Sequence, residues 1–159
     1  MRYFEDVKEC HVDIMLEVKD KNLSVKKCQL ATSKEKNIKS LENEWARYKY
    51  TVLERSPAIY QDIKDLLKDK TAYPVIQFYQ LIESALDEEI EINKAINSLD
   101  HVWGYFNKKA TPKEQQRYQK YKSELESKPE KLDNIKRFLS KLAIKYKVDY
   151  LNHSLFFEF

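Results

Sequence analysis

Apolar residues recur at spacings of three and four along most of this chain, which is the period of a helix with one buried face. The same period runs through the first twenty residues, so a helix is predicted there as well. The positions that carry it are Phe4, Val7, His11, Ile14 and Val18 near the start, Leu41, Trp45, Tyr48 and Val52 further on, and Leu132, Ile135, Leu139, Leu142 and Tyr146 towards the end.

Prolines and short polar breaks divide this pattern into separate helices. Ser56 is a predicted N-cap, because Pro57 after it suits the first helical position. Thr111 is another, followed by Pro112 and by Glu114 at the spacing of a capping box. Two further starts are predicted, near Pro74 and between Ser127 and Pro129.

Turn-forming residues are scarce, with one glycine and four prolines among 159 residues. That scarcity disfavours an all-β chain, which needs many tight turns. The sequence therefore predicts an all-α, single-domain helical bundle of about six helices. Residues 1–40 are predicted to form a helical extension packed on a main helical domain of residues 41–159.

Several classes of protein are disfavoured by the composition. No apolar run approaches the length of about 20 residues that a membrane-spanning helix needs, and the first residues, MRYFEDVKEC, lack the apolar core of a signal peptide. A cytoplasmic protein without membrane association is expected. The thiols of Cys10 and Cys28, with three dispersed histidines, form no ligand pattern. Neither a metal site nor a cofactor is predicted.

Charge is unevenly distributed along the chain. Residues 75–100 contain six acidic residues against Lys94 alone, whereas residues 107–147 contain thirteen Lys or Arg against five Asp or Glu. One interpretation is that solvated helix faces complement each other across the bundle. The other is a basic surface for phosphates, with Tyr105, Tyr118 and Tyr121 as stacking rings.

The only glycine, Gly104, falls in a segment predicted to be one helix from Ile92 to Lys108. A turn of 100° per residue places Ile92, Ile96, Leu99, Trp103 and Phe106 on a buried stripe and Lys94, Asn97, His101, Gly104 and Lys108 on the opposite face. Glycine within a helix costs about 1 kcal/mol relative to alanine. Three explanations are open: a close helix crossing, a cleft for an anionic or nucleobase-like ligand, or catalysis by His101.

Two internal segments resemble motifs of the YbgA-like bacterial family of unknown function. WARYKYTVLERSPAIYQDI is similar to the first motif through Arg47, Lys49, Leu53, Ser56 and Tyr60. NSLDHVWGYF is similar to the second through Asn97, Leu99, His101, Gly104, Tyr105 and Phe106. TPKEQ and the ending YLNHSLFFEF resemble later family segments, so the resemblance covers the chain from about Glu42 onwards.

Departures from the family pattern occur at Ala95, where the family often has histidine, and at Ser154, where it has glutamine. The segment YKSELESKP also lacks a glycine that the family carries. Any site that used those groups is altered in this chain, which is therefore a divergent member. The first 40 residues have no counterpart in the resemblance.

The resemblance implies a binding function for this chain and no catalytic reaction. The family's helical domain also occurs fused behind cysteine-bearing domains resembling thiouracil and thiouridine desulfidases. In such fusions the helical part is expected to engage RNA, with tRNA the first candidate, so a desulfidase-like partner protein is one expectation for this chain.

Arg47 and Lys49 point about 160° apart on a helix. Lys49 is expected to be exposed. Arg47 is expected either to contact phosphate or to pair with an acidic residue of segment 75–100.

Three hypotheses of function follow. The first is a non-catalytic accessory module that binds tRNA or another nucleic acid through the basic C-terminal half, using Lys108, Lys109 and Arg117. The second is a structural or interaction protein whose acidic and basic halves pair in a homodimer. The third is an enzyme acting on a small anionic or nucleobase-like substrate, with His101 as acid or base and Arg47 as anchor.

Overall fold

The computed structural model describes residues 21–158, and within them the chain is helical without a β-strand. The all-α prediction is confirmed. The predicted number of about six helices is too low, since the described residues form eight α-helices. The extra helices include α8, whose four residues are too short to show a period. The α-helices are α1 Lys21–Thr32, α2 Ile38–Arg55, α3 Pro57–Leu66, α4 Val75–Leu86, α5 Ile92–Trp103, α6 Pro112–Leu125, α7 Leu132–Lys145 and α8 Asp149–Asn152, and two 3₁₀ helices span Pro129–Lys131 and Leu155–Phe157.

The central element is α2, which contacts α3, α4, α5 and the last 3₁₀ helix. Its apolar residues divide between two hydrophobic clusters. The first contains Tyr50 and Leu53 with buried residues of α5, α6 and α7. The second contains Leu41, Trp45 and Val52 with buried residues of α3 and α4. Because both sides of α2 are covered, most of its residues from Tyr48 to Glu54 are buried.

Helix α3 begins where the sequence places it. The amide of Ser56 donates to the carbonyl of Val52 at 2.8 Å, and the carbonyl of Ser56 accepts from the amide of Tyr60 at 2.9 Å. Ser56 thus closes α2 and opens α3 with its backbone, and its side chain makes no capping hydrogen bond. Pro57 occupies the first helical position, where its missing amide hydrogen costs nothing.

The predicted capping box of α6 is confirmed. The hydroxyl of Thr111 accepts from the amide of Glu114, and the carboxylate of Glu114 accepts from the amide of Thr111 at 2.8 Å. The predicted start of the following helix is early by a few residues, because Pro129–Lys131 forms a 3₁₀ turn before α7 begins at Leu132.

The segment predicted as one helix from Ile92 to Lys108 ends at Trp103 instead. Beyond Trp103 the backbone shifts to tighter bonds: the amide of Tyr105 donates to the carbonyl of Val102 at 3.2 Å, and that of Phe106 to Trp103 at 2.8 Å. This tighter turn carries the ring of Phe106 into the core, where it is fully buried. Lys108 therefore does not continue the helix face of Gly104.

The helix predicted at Phe4, Val7, His11, Ile14 and Val18 lies outside the described residues. The described part of the predicted N-terminal extension is α1, and it packs beside α4. Leu30 is buried in the second cluster, and its carbonyl accepts a hydrogen bond of 2.9 Å from the hydroxyl of Tyr73. Lys27 pairs with Glu83 of α4 at 3.3 Å. The division at residue 40 stays a prediction.

A buried ion pair joins α2 to α7. The ammonium nitrogen of Lys136 lies 2.8 Å from each carboxylate oxygen of Glu54, and Arg55 donates to the same carboxylate at 2.8 Å. The ammonium also lies 4.7 Å from the ring centre of Phe156. Burial raises the pKa of Glu54 and lowers the pKa of Lys136. Each group therefore depends on the other to remain charged.

Candidate functional site

Four tyrosines from separate elements meet at one surface, which we call the tyrosine surface: Tyr50 of α2, Tyr60 of α3, Tyr105 after α5 and Tyr150 of α8, with Lys49 and Lys64 beside them. The rings of Tyr105 and Tyr150 stack, with centroids 5.7 Å apart and planes at 12°. Tyr50 meets both rings edge-on at 6.3 Å. Tyr105 is exposed, at 37% of its full area, so one stacked ring faces solvent.

Tyr50 fixes the position of this surface. Its carbonyl accepts a buried hydrogen bond of 2.9 Å from the hydroxyl of Ser98, which ties α2 to α5. Its own hydroxyl donates to that of Tyr105 at 3.0 Å. The tight turn after α5 then holds Tyr105 at the surface while Phe106 is buried. The sequence thus places an exposed ring on a rigid support.

The hydroxyls of Tyr50, Tyr60 and Tyr150 stay protonated at neutral pH. Burial, and then the hydrogen bond to Tyr105, raise the pKa of Tyr50. Burial raises the pKa of Tyr150 to about 12, and it also raises the pKa of Tyr60. These groups can therefore donate hydrogen bonds and present ring faces, but they do not supply a general base.

Two lysines flank the rings. The ammonium of Lys49 lies 5.2 Å from the ring centre of Tyr50, and that of Lys64 lies 5.4 Å from the ring centre of Tyr60. Burial, followed by the charge of Lys64, lowers the pKa of Lys49. Neither lysine pairs with a carboxylate in the part of the chain that the structure describes. The surface combines aromatic faces with positive charge that no carboxylate of residues 21–158 neutralises. Lys49, which was expected to be exposed, is half-buried.

Arg47 has a structural partner on its own helix. Its guanidinium donates to both carboxylate oxygens of Glu44, at 3.1 and 3.2 Å, and Glu44 is almost fully buried. The predicted pairing with the acidic segment 75–100 is therefore wrong, because the carboxylate one turn earlier is closer. The carbonyl of Arg47 also accepts from the hydroxyl of Ser154 at 3.3 Å.

Asn97, His101 and Gly104 lie exposed along α5 and its end. A methyl group at Gly104 would meet nothing in the described chain except carbonyl oxygens of its own turn, the nearer being His101 at 3.2 Å. The close helix crossing proposed for this glycine is therefore wrong. Lys108 and Lys109 follow in the exposed turn.

Two of the three proposed stacking rings are already engaged inside the protein. Tyr118 is fully buried and stacks on Trp103 at 4.2 Å, while its hydroxyl donates to Asp100. Tyr121 lies edge-on to Phe138 at 5.7 Å and accepts hydrogen bonds from Arg117. Tyr105 alone of the three keeps an exposed face.

The acidic and basic segments meet at one ion pair among the described residues, between Asp100 and Lys122 at 2.6 Å. Lys94 pairs with Glu88 and Glu91 of its own segment. The complementarity proposed across the bundle is thus confined to a single contact. The remaining ion pairs of the basic segment are Lys131 with Glu124, Lys136 with Glu54, and Lys145 with Glu114.

The sequence interpretation missed Tyr50, Lys64 and Tyr150. Tyr150 opens the ending YLNHSLFFEF, which resembles a family segment. The family resemblance therefore pointed to Tyr150 as a candidate. Tyr50 directly follows Lys49, but it lies off the apolar stripe of α2. Lys64 lies one turn after Tyr60, and this spacing allows a lysine to reach back over a ring.

Across residues 21–158, no group of three or more His, Cys, Asp or Glu side chains is placed to hold a metal ion. None of the helices there combines the length and apolar character that crossing a bilayer requires.

The comparisons with known proteins agree with the motifs. The family described as "Protein of unknown function (DUF1722)" has a model that matches residues 49–159. A protein named UV DNA damage endonuclease, from Clostridium perfringens (strain 13 / Type A), is 28% identical over 148 residues, which cover 91% of this chain and 34% of that protein. The chain thus spans about a third of the length of this curated relative, and no solved structure matches it. The chain belongs to the DUF1722 family, which confirms the YbgA-like resemblance.

Proposed function

We propose that this protein is a nucleic-acid-binding module without catalytic activity of its own. In this proposal unpaired bases stack on Tyr105 and Tyr150, while Lys49 and Lys64 contact the phosphates beside them. Lys108 and Lys109, exposed in the same turn as Tyr105, extend the positive charge.

The observation that carries the proposal is the stack of the exposed Tyr105 on Tyr150, flanked by two lysines that pair with no carboxylate of residues 21–158. Proteins that bind single strands combine such aromatic platforms with positive grooves, because every base has a face that can stack. Each stacked base contributes about 1–3 kcal/mol. Lysines already neutralised by carboxylates would add little to phosphate binding, and these two are not.

The name of the curated relative supports nucleic acid as the ligand class. It refers to DNA, whereas the family resemblance points to tRNA, and both ligands offer phosphates and bases. Because this chain spans about a third of that relative, the relative's activity is not extended to it.

The same geometry speaks against the enzyme hypothesis. A general base needs a titratable group within hydrogen-bond reach of its substrate and an orienting partner. The raised pKa values of Tyr50 and Tyr150 keep their hydroxyls protonated, and Arg47 is paired with Glu44. His101 is exposed, and no hydrogen bond orients it within the described residues.

The test is fluorescence anisotropy with a labelled single-stranded DNA and with bulk tRNA, over a series of salt concentrations. Tyr105→Ala should weaken binding about tenfold, in the range of one lost stacking contact. Tyr105→Phe keeps the ring and should bind within about twofold of the parent. The two probes distinguish DNA from RNA as the preferred ligand.

The lysines have their own signature in the same titrations. Lys49→Gln should reduce the slope of log affinity against log salt by about 0.7, the value for one phosphate contact on a single strand. Lys26→Gln, which removes one exposed charge from α1, is the matched control and should leave the slope unchanged. If neither probe binds at low salt, or if Tyr105→Ala binds as the parent does, the proposal is wrong.

A further inference from the structure

A second site lies apart from the tyrosine surface, between α6 and α7. A cavity of about 410 Å³ opens there, and we call it the basic groove. That volume falls in the range of small-molecule sites, about 300–1,000 Å³. Its main lining residues are Lys113 and Arg117 of α6, and Phe138, Lys141, Leu142 and Lys145 of α7.

The groove carries a net positive charge although Glu114 also lines it. That carboxylate accepts from Lys145 at 2.6 Å, from the hydroxyl of Tyr146 at 2.7 Å and from Thr111 at 2.8 Å. Lys145, and then the hydrogen bond from Tyr146, lower the pKa of Glu114 to about 2. Glu114 and Lys145 therefore neutralise each other at neutral pH.

The remaining cations of the groove are Lys113, Arg117 and Lys141, and all three are exposed. None of them pairs with a carboxylate among residues 21–158. Three positive charges around one cavity favour an anionic ligand with more than one charge, such as a phosphate monoester.

Arg117 is held in one orientation. Its Nε and Nη2 atoms donate to the hydroxyl of Tyr121 at 3.1 and 2.9 Å. Its guanidinium carbon lies 5.4 Å from the ring centre of Tyr121 and 5.3 Å from that of Phe138. A guanidinium fixed against rings offers its remaining N–H groups to a phosphate at little entropic cost, and as a lining residue of the groove it can also contact a planar ring bound there.

Phe138 and Leu142 supply the apolar part of the lining, which we call the apolar floor. A ligand that matches both parts has a planar, weakly polar body and a charged phosphate. A partner helix needs anchors spread over about two turns, or roughly 10 Å of groove, whereas a nucleotide fits within a single cavity.

We infer that the basic groove binds one phosphate-bearing nucleotide, with the base against Arg117 and the apolar floor and the phosphate between Lys113 and Lys141. The nucleotide is either free or one unit of a strand, since both present the same chemistry. This site is separate from the tyrosine surface, so it stands whether or not the proposed function holds.

The test follows backbone amide signals by nuclear magnetic resonance while adenosine monophosphate, adenosine or inorganic phosphate is added at low salt. Adenosine monophosphate should give saturable shifts at Lys113, Arg117 and Lys141. Adenosine and phosphate alone should each bind at least about tenfold more weakly, because each lacks one half of the contacts. Equal binding of inorganic phosphate would mean an anion site without base recognition, and it would overturn the inference.

Two variants locate the site. Arg117→Lys keeps the charge but loses the planar fork, and Lys113→Gln with Lys141→Gln removes the phosphate contacts. Each should weaken nucleotide binding by at least about tenfold, because each loses at least one charge-assisted hydrogen bond. Lys120→Gln with Lys128→Gln removes the same charge from exposed positions outside the groove, and it should bind as the parent does. Circular dichroism verifies that each variant is folded.

Competition with a 5′-phosphorylated oligonucleotide identifies the source of the nucleotide. Displacement of adenosine monophosphate shows that the groove takes a unit of a strand, and retention shows that it takes a free nucleotide. Tyr105→Ala should leave binding of the mononucleotide unchanged in either case. If the groove variants bind adenosine monophosphate as tightly as the parent, the inference falls while the proposed function is untouched.

Discussion

At the scale of single residues, Gly104 adopts an ordinary right-handed helical conformation, with φ of −51° and ψ of −30°. Any L-residue reaches this region, so the backbone does not require glycine. The position is exposed, and an added methyl group would meet carbonyl oxygens of its own turn. The fold thus does not explain the glycine.

Gly104→Ala should therefore leave the protein folded, and it should raise the free energy of unfolding by up to about 1 kcal/mol by restricting the unfolded chain. The contact of 3.2 Å with the carbonyl of His101 offsets part of that gain. Urea denaturation measures the change. A loss of more than about 1 kcal/mol would contradict the expectation, since it would mean that the turn needs a bare Cα.

Single residues of the tyrosine surface were predictable to different degrees. Lys49, Tyr60 and Tyr105 were identified through family motifs, which mark positions without giving their contacts. Tyr50 was missed because a period of three and four reveals one buried stripe, while α2 is buried on both sides. The burial of Glu54 was not predictable either, because a charged residue in a helix is normally assigned to the solvent face, while α2 is buried on both sides.

At the scale of helices and turns, the start of α6 is the best-determined element in the sequence. Thr111, Pro112 and Glu114 specify it through local bonds alone, so no knowledge of the fold was needed. The end of α5 was not predictable in this way. The helical period places Phe106 on the buried stripe, but it does not show that the backbone tightens after Trp103 on the way to that buried ring.

The capping carboxylate of α6 should give a pH-dependent contribution to stability. The pKa of Glu114 is about 2 in the folded protein and 4.5 as its ordinary value. Its ionised form therefore stabilises the fold fully above about pH 4.5, and this contribution is lost as pH falls towards 2. Glu114→Ala should be less stable than the parent at pH 7, and the difference should shrink between those pH values.

Urea denaturation at several pH values measures this difference. Glu126→Ala, which removes an exposed carboxylate at the C-terminal end of the same helix, is the matched control and should show no such dependence. A Glu114→Ala penalty that is equal at pH 7 and near pH 2 would mean that the capping bonds do not rely on the charge.

At the scale of the whole molecule, α2 is shared between two hydrophobic clusters, and the Glu54–Lys136 pair fastens it to α7. An all-α chain and most of its helices were predictable, because those features repeat locally. The assignment of faces to two separate clusters was not, since it depends on which distant helices meet α2.

Removing one partner of the buried pair should be costly. Lys136→Met leaves Glu54 buried with Arg55 as its remaining cation, and it should lower the free energy of unfolding by about 3–5 kcal/mol. Glu54→Leu combined with Lys136→Met should recover part of that loss, because the buried carboxylate is removed together with its ammonium partner, while Arg55 keeps its hydrogen bond to the carbonyl of Thr51 at 3.3 Å. Chemical denaturation of the parent, the single variants Lys136→Met and Glu54→Leu, and the double variant gives the coupling energy.

Arg137→Met, at an exposed position beside Lys136 on α7, is the control and should change stability by less than about 0.5 kcal/mol. If the double variant is no more stable than Lys136→Met alone, the pair does not stabilise the fold by mutual compensation of charge. Its contribution then comes from the packing of the two side chains.

The last 3₁₀ helix places two adjacent residues in different parts of the core. Leu155 belongs to the second cluster and Phe156 to the first, while Ser154 holds the segment to α2. During synthesis neither hydrophobic cluster can be complete until the ribosome has added Leu155 and Phe156. Both hydrophobic clusters are therefore completed together, and a nascent chain halted before residue 155 would expose two unfinished apolar surfaces to the chaperones around it.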